Sequence, residues 1–211
     1  MADLEGMAIA LIRGKKNDVE SKVKEALAEG VPPGKILTEG LIAGMSVVGE
    51  RFRRNLVYVP EVLISARAMK AGMAMVAPLL SAAGAQPLAR VVLGTVKGDL
   101  HDIGKNLVGM MLQGGGYEII DLGTDVPAEQ FVNAAREKNA NLVAMSALLT
   151  TTMPFMANVV AAVKQSGLKN VKTMIGGAPV TQQFANEIGA DGYAPDAASA
   201  VEVAARLVGA M

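Results

Sequence analysis

The sequence predicts an α/β protein: an N-terminal four-helix bundle over residues 1–85, then a doubly wound, flavodoxin/Rossmann-like domain with a five-stranded parallel sheet over residues 86–211. Three observations carry that expectation. Up to about residue 85 the apolar residues recur only at three- and four-residue steps. From residue 90 short apolar runs alternate with amphipathic helical segments, the pattern of a parallel sheet covered on both faces. Between the two, "AAGAQPLAR" (residues 82–90) breaks both rhythms with glycine, proline and small residues, and reads as a linker.

In the first half, "NDVESKVKEALAEG" opens with Asn17 or Asp18 as a cap, places Val19, Val23, Ala26 and Leu27 on one face, and stops at Gly30. Pro32 and Pro33 offer a first-turn start for a helix through Ile36, Leu37, Leu41, Met45 and Val48. Another helix follows Pro60, with Val62, Leu63, Ala66, Met69, Met73 and Val76 on its apolar stripe. Short connections between such helices make a small bundle. In the second half "RVVLGT", "YEIIDL", "NLVAMSA" and "KTMIGG" are strand segments, with "DGYA" a weaker fifth. Helices fit near 104–113, 127–139, 153–166, 181–188 and 197–209.

Composition narrows the function classes. Half of the 211 residues, 51%, are hydrophobic, ample for a buried core. Twenty basic residues balance twenty acidic ones and aromatics make up 3%, so neither the charge nor the stacking residues of a nucleic-acid binder stand out. Zero cysteines exclude disulfides, thiolate metal sites and thiol nucleophiles, and fit a reducing cytoplasm. "MADLEGMAIA" carries acids where a signal peptide has basic residues, and no uninterrupted apolar stretch approaches the roughly 20 residues of a membrane helix. A soluble, cytoplasmic chain with no nucleic-acid or membrane partner is expected.

The single histidine lies in "TVKGDLHDIGKN", residues 95–106, just after the apolar run of the first strand. In doubly wound sheets ligands bind beyond the carboxyl ends of the strands, and His101, Asp125, Ser146, Gly176 and Gly177 all follow strand ends. One reading of His101 is an ordinary loop residue, with Asp99 or Asp102 capping the next helix. A phosphate loop is excluded by spacing, because five residues separate Gly98 from Gly104 instead of four, and Asn106 stands where a magnesium-binding Ser or Thr is required. A response-regulator receiver needs an aspartate at the end of the third strand, where Ser146 stands. Zinc or non-haem iron needs several protein ligands. A metal that arrives inside a four-nitrogen macrocycle needs only one axial imidazole. Asp99, two residues before His101, is spaced to accept a hydrogen bond from the other ring nitrogen and fix the tautomer.

"GDLHDIGKNLV" resembles the Asp-x-His-x-x-Gly signature of cobalamin-binding domains, filled by Asp99, His101 and Gly104. Two further elements of that family follow in order: Ser-x-Leu at Ser146, Ala147 and Leu148, and a Gly-Gly pair at Gly176 and Gly177. "MSVVGERFRRNLVYVPEVLISARAMKAGM" is similar to the helical cap that precedes the corrinoid domain in methionine synthase and in the small corrinoid proteins of methyltransferase systems. The resemblance implies a cobalamin or related corrinoid, with its cobalt, bound base-off and with His101 as the axial ligand. It implies that the detached nucleotide tail enters the rim of the sheet, with Gly104, Gly176 and Gly177 small because the ligand approaches there. Ser146 would meet the tail base, Leu148 and Thr150 would line the same slot, and Thr152, where the family often has serine, would hydrogen-bond Asp99. Phe52 matches the aromatic residue that shields the upper face of the cobalt, and Val59 a cap position that is commonly larger.

The function implied is that of a corrinoid methyl carrier, not catalytic by itself. A substrate-specific methyltransferase would load the methyl group, an acceptor methyltransferase would remove it, and a reductive activation protein would restore the cobalt. The rival readings are a cobalamin-dependent sensor or binding module, the cobalamin subunit of a carbon-skeleton mutase, and a doubly wound domain with no corrin at all.

Overall fold

The computed structural model describes residues 2–82 and 86–210; the middle of the predicted linker, residues 83–85, lies outside them. The chain divides into two compact units, Met1–Pro87 with Gly114–Gly116, and Leu88–Gln113 with Tyr117–Met211.

The first unit is helical: α1 (Leu4–Ile12), α2 (Lys16–Ala28), a single turn α3 (Pro33–Lys35), a π-helical stretch Ile36–Ile42, α4 (Ala43–Arg53) and α5 (Val59–Ala82). The last three before α5 run on from one another, so the predicted helix after Pro32 and Pro33 is a single rod with a widened middle, which the apolar spacing does not reveal. Gly40 and Gly44 lie where α1 crosses this rod, and a Cβ on either would stand 2.6 Å from Met7 Sδ or 2.9 Å from the Ala8 carbonyl oxygen. Helix α2 begins at Lys16 with no side-chain cap, so Asn17 and Asp18 occupy its first turn instead of capping it. Asp3 does cap α1, accepting from the Gly6 N–H at 2.7 Å and from Lys22 Nζ at 2.6 Å.

The predicted stripes bury Val19, Val23, Ala26, Ile36, Leu41, Met45, Val48, Val62, Ala66, Met69 and Val76. Leu63 departs from the expectation and is exposed, because it lies a full residue off the 62, 66, 69, 73, 76 stripe. Over Val59–Leu80, α5 is long and apolar enough to cross a membrane by length and composition, with a mean hydropathy of 1.3. Arg67 and Lys70 interrupt that stretch, and α5 packs along α2 through its buried stripe.

The second unit alternates strand and helix: β1 (Arg90–Thr95), α6 (Ile103–Gly114), β2 (Glu118–Asp121), α7 (Ala128–Glu137), β3 (Leu142–Ser146), α8 (Pro154–Gln165), β4 (Lys172–Gly176), α9 (Gln182–Ile188), β5 (Gly192–Ala194) and α10 (Ala197–Val208). The strands form one parallel sheet in the order β2-β1-β3-β4-β5, the doubly wound arrangement expected. Their side chains alternate between two buried faces. Val92, Val143, Met145 and Ile175 pack with Phe131 of α7, Met156 and Val160 of α8 and Ala185 of α9. Val91, Leu93, Leu142, Ala144 and Met174 pack with Leu112 of α6 and Ala200, Val203 and Ala204 of α10. The chain leaves β1 for β2 and returns to β3 on the other side, so the loops after β1 and β3 diverge at the switch point where such sheets hold ligands.

The glycines that end β4 have an internal reason for being glycine. A Cβ on Gly176 would sit 2.9 Å from the Ala194 carbonyl oxygen, and one on Gly177 only 2.0 Å from that of Ala147. Gly177 also has φ +139°, open mainly to glycine. The chain's own backbone therefore already requires glycine at both positions. Gly177→Ala should destabilise the protein by about 3 kcal/mol, lowering Tm by roughly 6–12 °C in a thermal melt followed by circular dichroism.

Candidate functional site

The loop between β1 and α6 is folded around the carboxylate of Asp99, which is fully buried. Its Oδ1 accepts from the His101 N–H at 3.1 Å and from His101 Nδ1 at 2.8 Å. Its Oδ2 accepts from the Leu148 N–H at 2.8 Å, the Leu149 N–H at 3.3 Å and Thr152 Oγ1 at 2.7 Å. The Thr152 hydroxyl also lies 2.9 Å from the Leu149 carbonyl oxygen, but its one proton goes to the nearer, charged acceptor. Burial pushes the Asp99 carboxyl upward. The hydrogen bonds from Thr152, the Leu148 N–H, the His101 N–H and the imidazole outweigh burial and hold it well below the usual carboxylate range.

An ionised Asp99 only accepts, so the neutral imidazole of His101 carries its proton on Nδ1 and leaves Nε2 as the nitrogen with a free lone pair when it meets a metal. The imidazole is 50% exposed while its partner carboxylate is sealed, so the ring is anchored from behind and presented outward. Of the two sequence readings of Asp99, the helix cap is set aside: none of its bonds goes to α6, and the residue immediately before that helix is Asp102. Leu100 and Ile103, on either side of His101, are 72% and 77% exposed, and Leu148 and Leu149 are also exposed. Exposed apolar side chains on the loop that carries His101 and on the loop bonded to Asp99 mark a binding surface.

The structure brings Asp99, His101, Ser146, Leu148 and Thr152 into one hydrogen-bonded neighbourhood at the carboxyl edge of the sheet. Thr150 lies exposed in the same loop as Leu148 and Thr152. Gly104 opens α6 with nothing within 4 Å of where its Cβ would be. Gly176 ends β4 as the register partner of Ser146, and Gly177 follows it. Phe52, on α4, and Val59, at the start of α5, belong to the helical unit and are half-buried there.

Three features were missed in the sequence. Thr95 is fully buried and joins Ser146 to the His101 carbonyl; its signal was a hydroxyl ending the apolar run "RVVLG". Asp125, placed on the rim but given no role, adopts φ +56°, accepts from the Gly98 N–H at 2.7 Å and donates its own N–H to the Asp99 carbonyl at 3.0 Å. Lys105, which follows Gly104 in the phosphate-loop spacing set aside above, is buried and gives its ammonium to both oxygens of Asp121 at 2.6 Å.

Two regions of the chain match models described as B12 binding domain, residues 3–77 and residues 89–202. The chain belongs to the B12-binding corrinoid protein family. It is 44% identical to dimethylamine corrinoid protein 3 of Methanosarcina acetivorans, over 99% of this chain and 100% of that protein. Among solved structures, it is similar to the methanol:cobalamin methyltransferase complex of Methanosarcina barkeri, with TM-score 0.86 and 32% identity, covering 97% of this chain and 79% of that one. It is similar also to a cobalamin-binding protein of Desulfitobacterium hafniense, with TM-score 0.81 and 31% identity over 99% of this chain and 100% of that one.

The cofactor of this corrinoid protein is accordingly cobalamin or a related corrinoid, and the donor set fits it. Among the described residues no cluster of three or more His, Cys, Asp or Glu is placed to hold a metal ion. One outward imidazole, on a loop with exposed leucine and isoleucine side chains, suits a metal whose other nitrogens come with the ligand.

Proposed function

We propose that this corrinoid protein carries a methyl group between two methyltransferases, and holds its corrinoid base-off with His101 as the cobalt ligand. The observation that carries this reading is the half-exposed imidazole tied through Nδ1 to a buried, ionised Asp99. The names of its relatives support the carrier role. The corrinoid, when bound, supplies the cobalt that takes up and releases the methyl group.

The chain's own residues orient and tune. Asp99 fixes the tautomer and raises the basicity of Nε2, while Thr152 and the Leu148 and Leu149 N–H groups hold the carboxylate charged and immobile. The exposed Leu100, Ile103, Leu148 and Leu149 offer apolar surface to the macrocycle. Ser146, Leu148 and Thr150 receive the detached nucleotide tail, and Gly104 leaves it room. Docking of a substrate-specific methyltransferase, an acceptor methyltransferase and a reductive activation protein completes the cycle, and Phe52 and Val59 shield the bound corrinoid between visits.

Electron paramagnetic resonance of the corrinoid-loaded protein in its cobalt(II) form tests the ligation. Nitrogen-15 labelling of histidine should convert a triplet superhyperfine splitting into a doublet. An unchanged triplet would show that the nitrogen comes from the cofactor's own base. For Phe52→Ala, corrinoid affinity measured by absorbance titration should stay within about twofold of wild type, because the hydrogen-bonded network around His101 lies wholly in the sheet unit. Loss of methyl group from the loaded protein under illumination should become faster.

A further inference from the structure

Thr95 ends β1 and Ser146 ends β3, and the parallel register makes them direct partners. Their hydroxyl oxygens lie 3.0 Å apart. Thr95 is fully buried and Ser146 half-buried. Thr95 Oγ1 also stands 2.9 Å from the backbone carbonyl oxygen of His101. A carbonyl only accepts, and a threonine hydroxyl has one proton, so that proton goes to His101. The other contact must then be donated by Ser146. The result is a one-way chain from the Ser146 hydroxyl to Thr95 and from Thr95 to the His101 carbonyl. With its proton committed, Ser146 Oγ turns only lone pairs outward.

We propose that Thr95 is a positioning residue of the corrinoid site, pinning the backbone of the ligating histidine and setting the hydrogen-bond polarity of Ser146 toward the nucleotide tail. The inference rests on the histidine-on, tail-inserted reading above. Through the His101 carbonyl, Thr95 adds a tie to a loop otherwise held by Asp99 and Asp125. Through Ser146, it makes tail binding an exchange: a tail group that only accepts must draw the serine proton away from Thr95. Valine at this position keeps the shape and removes both effects. The His101 carbonyl then loses its donor, which weakens binding of any corrinoid. The freed Ser146 hydroxyl favours only a corrinoid that has a tail.

Affinities of the full chain for cobalamin and for cobinamide, which lacks the nucleotide tail, separate the two effects. Thr95→Val should weaken cobinamide binding by about threefold to tenfold and cobalamin binding less, so the preference for cobalamin rises about threefold, the scale of one hydrogen bond. Thr95→Ser should stay within about twofold of wild type for both ligands. Adding Ser146→Ala to Thr95→Val should abolish the rise. A preference unmoved by Thr95→Val, or a rise that persists without the serine hydroxyl, overturns the proposal. Nuclear magnetic resonance of the corrinoid-free wild-type protein needs no variant to fold. It should show a slowly exchanging Thr95 hydroxyl proton coupled to the His101 carbonyl carbon, and a proton directed at Ser146 instead overturns the proposal. Failure of the histidine-labelling experiment would strike the ligation reading, and leaves this polarity to be decided by the resonance measurement.

Discussion

His101→Ala should abolish the histidine-derived nitrogen splitting in the cobalt(II) spectrum and lower corrinoid affinity by about 100-fold or more, since loss of an outer partner alone typically costs about 10- to 100-fold. The fold should be nearly indifferent. The ring is half exposed, and Asp99 keeps the backbone N–H of residue 101 as well as its bonds from Leu148, Leu149 and Thr152. Thermal unfolding of the corrinoid-free variant should therefore stay within about 1 kcal/mol of wild type. Unchanged nitrogen splitting in the variant would refute the ligand assignment. A large loss of stability would instead make His101 a structural residue of the loop.

Asp99→Asn should damage both ligation and folding, because this carboxylate is the hub of the loop. An amide presents one oxygen and one NH2 group to a site in which both carboxylate oxygens accept. Whichever way it turns, buried donors face a donor, at a cost of about 1–3 kcal/mol for each group left unpaired. On the loaded protein, corrinoid affinity should fall by about 10- to 100-fold and the cobalt reduction potential should shift, as the negative partner of the imidazole is gone.

Acid unfolding gives a second readout. Asp99 has a folded pKa below its ordinary 3.8, so the stability it contributes is fully present above that value and is lost as pH falls toward the folded pKa. Between pH 5 and 8 its contribution should be constant. Below about pH 4 the wild type should lose stability more steeply than Asp99→Asn, and parallel curves would mean that the charge of Asp99 does not support the fold.

The parts of this protein written in local patterns were legible in the sequence. Short continuous apolar runs named the strands, and three- and four-residue steps named the helices. The sole histidine, the absence of cysteine and the Asp two residues earlier left a macrocyclic metal as one reading beside an ordinary loop histidine, and the resemblance of the Asp-x-His-x-x-Gly, Ser-x-Leu and Gly-Gly motifs pointed to the corrinoid. Leu63 and the π-helical stretch escaped, because apolar identity marks a face only roughly and a widened turn leaves the same spacing.

The bonds between residues some fifty apart depend on how the strands pair. Asp99 meets Leu148, Leu149 and Thr152, and Thr95 meets Ser146, through the parallel register of β1 and β3. Gly177 is glycine because the Ala147 carbonyl lies against it, a fact that no local window contains. A chain encodes its faces residue by residue, whereas the direction of a proton in a buried chain of hydroxyls depends on which donors and acceptors the fold brings within 3 Å. The groups themselves are visible residue by residue in the chain, and the register of β1 and β3 aims them.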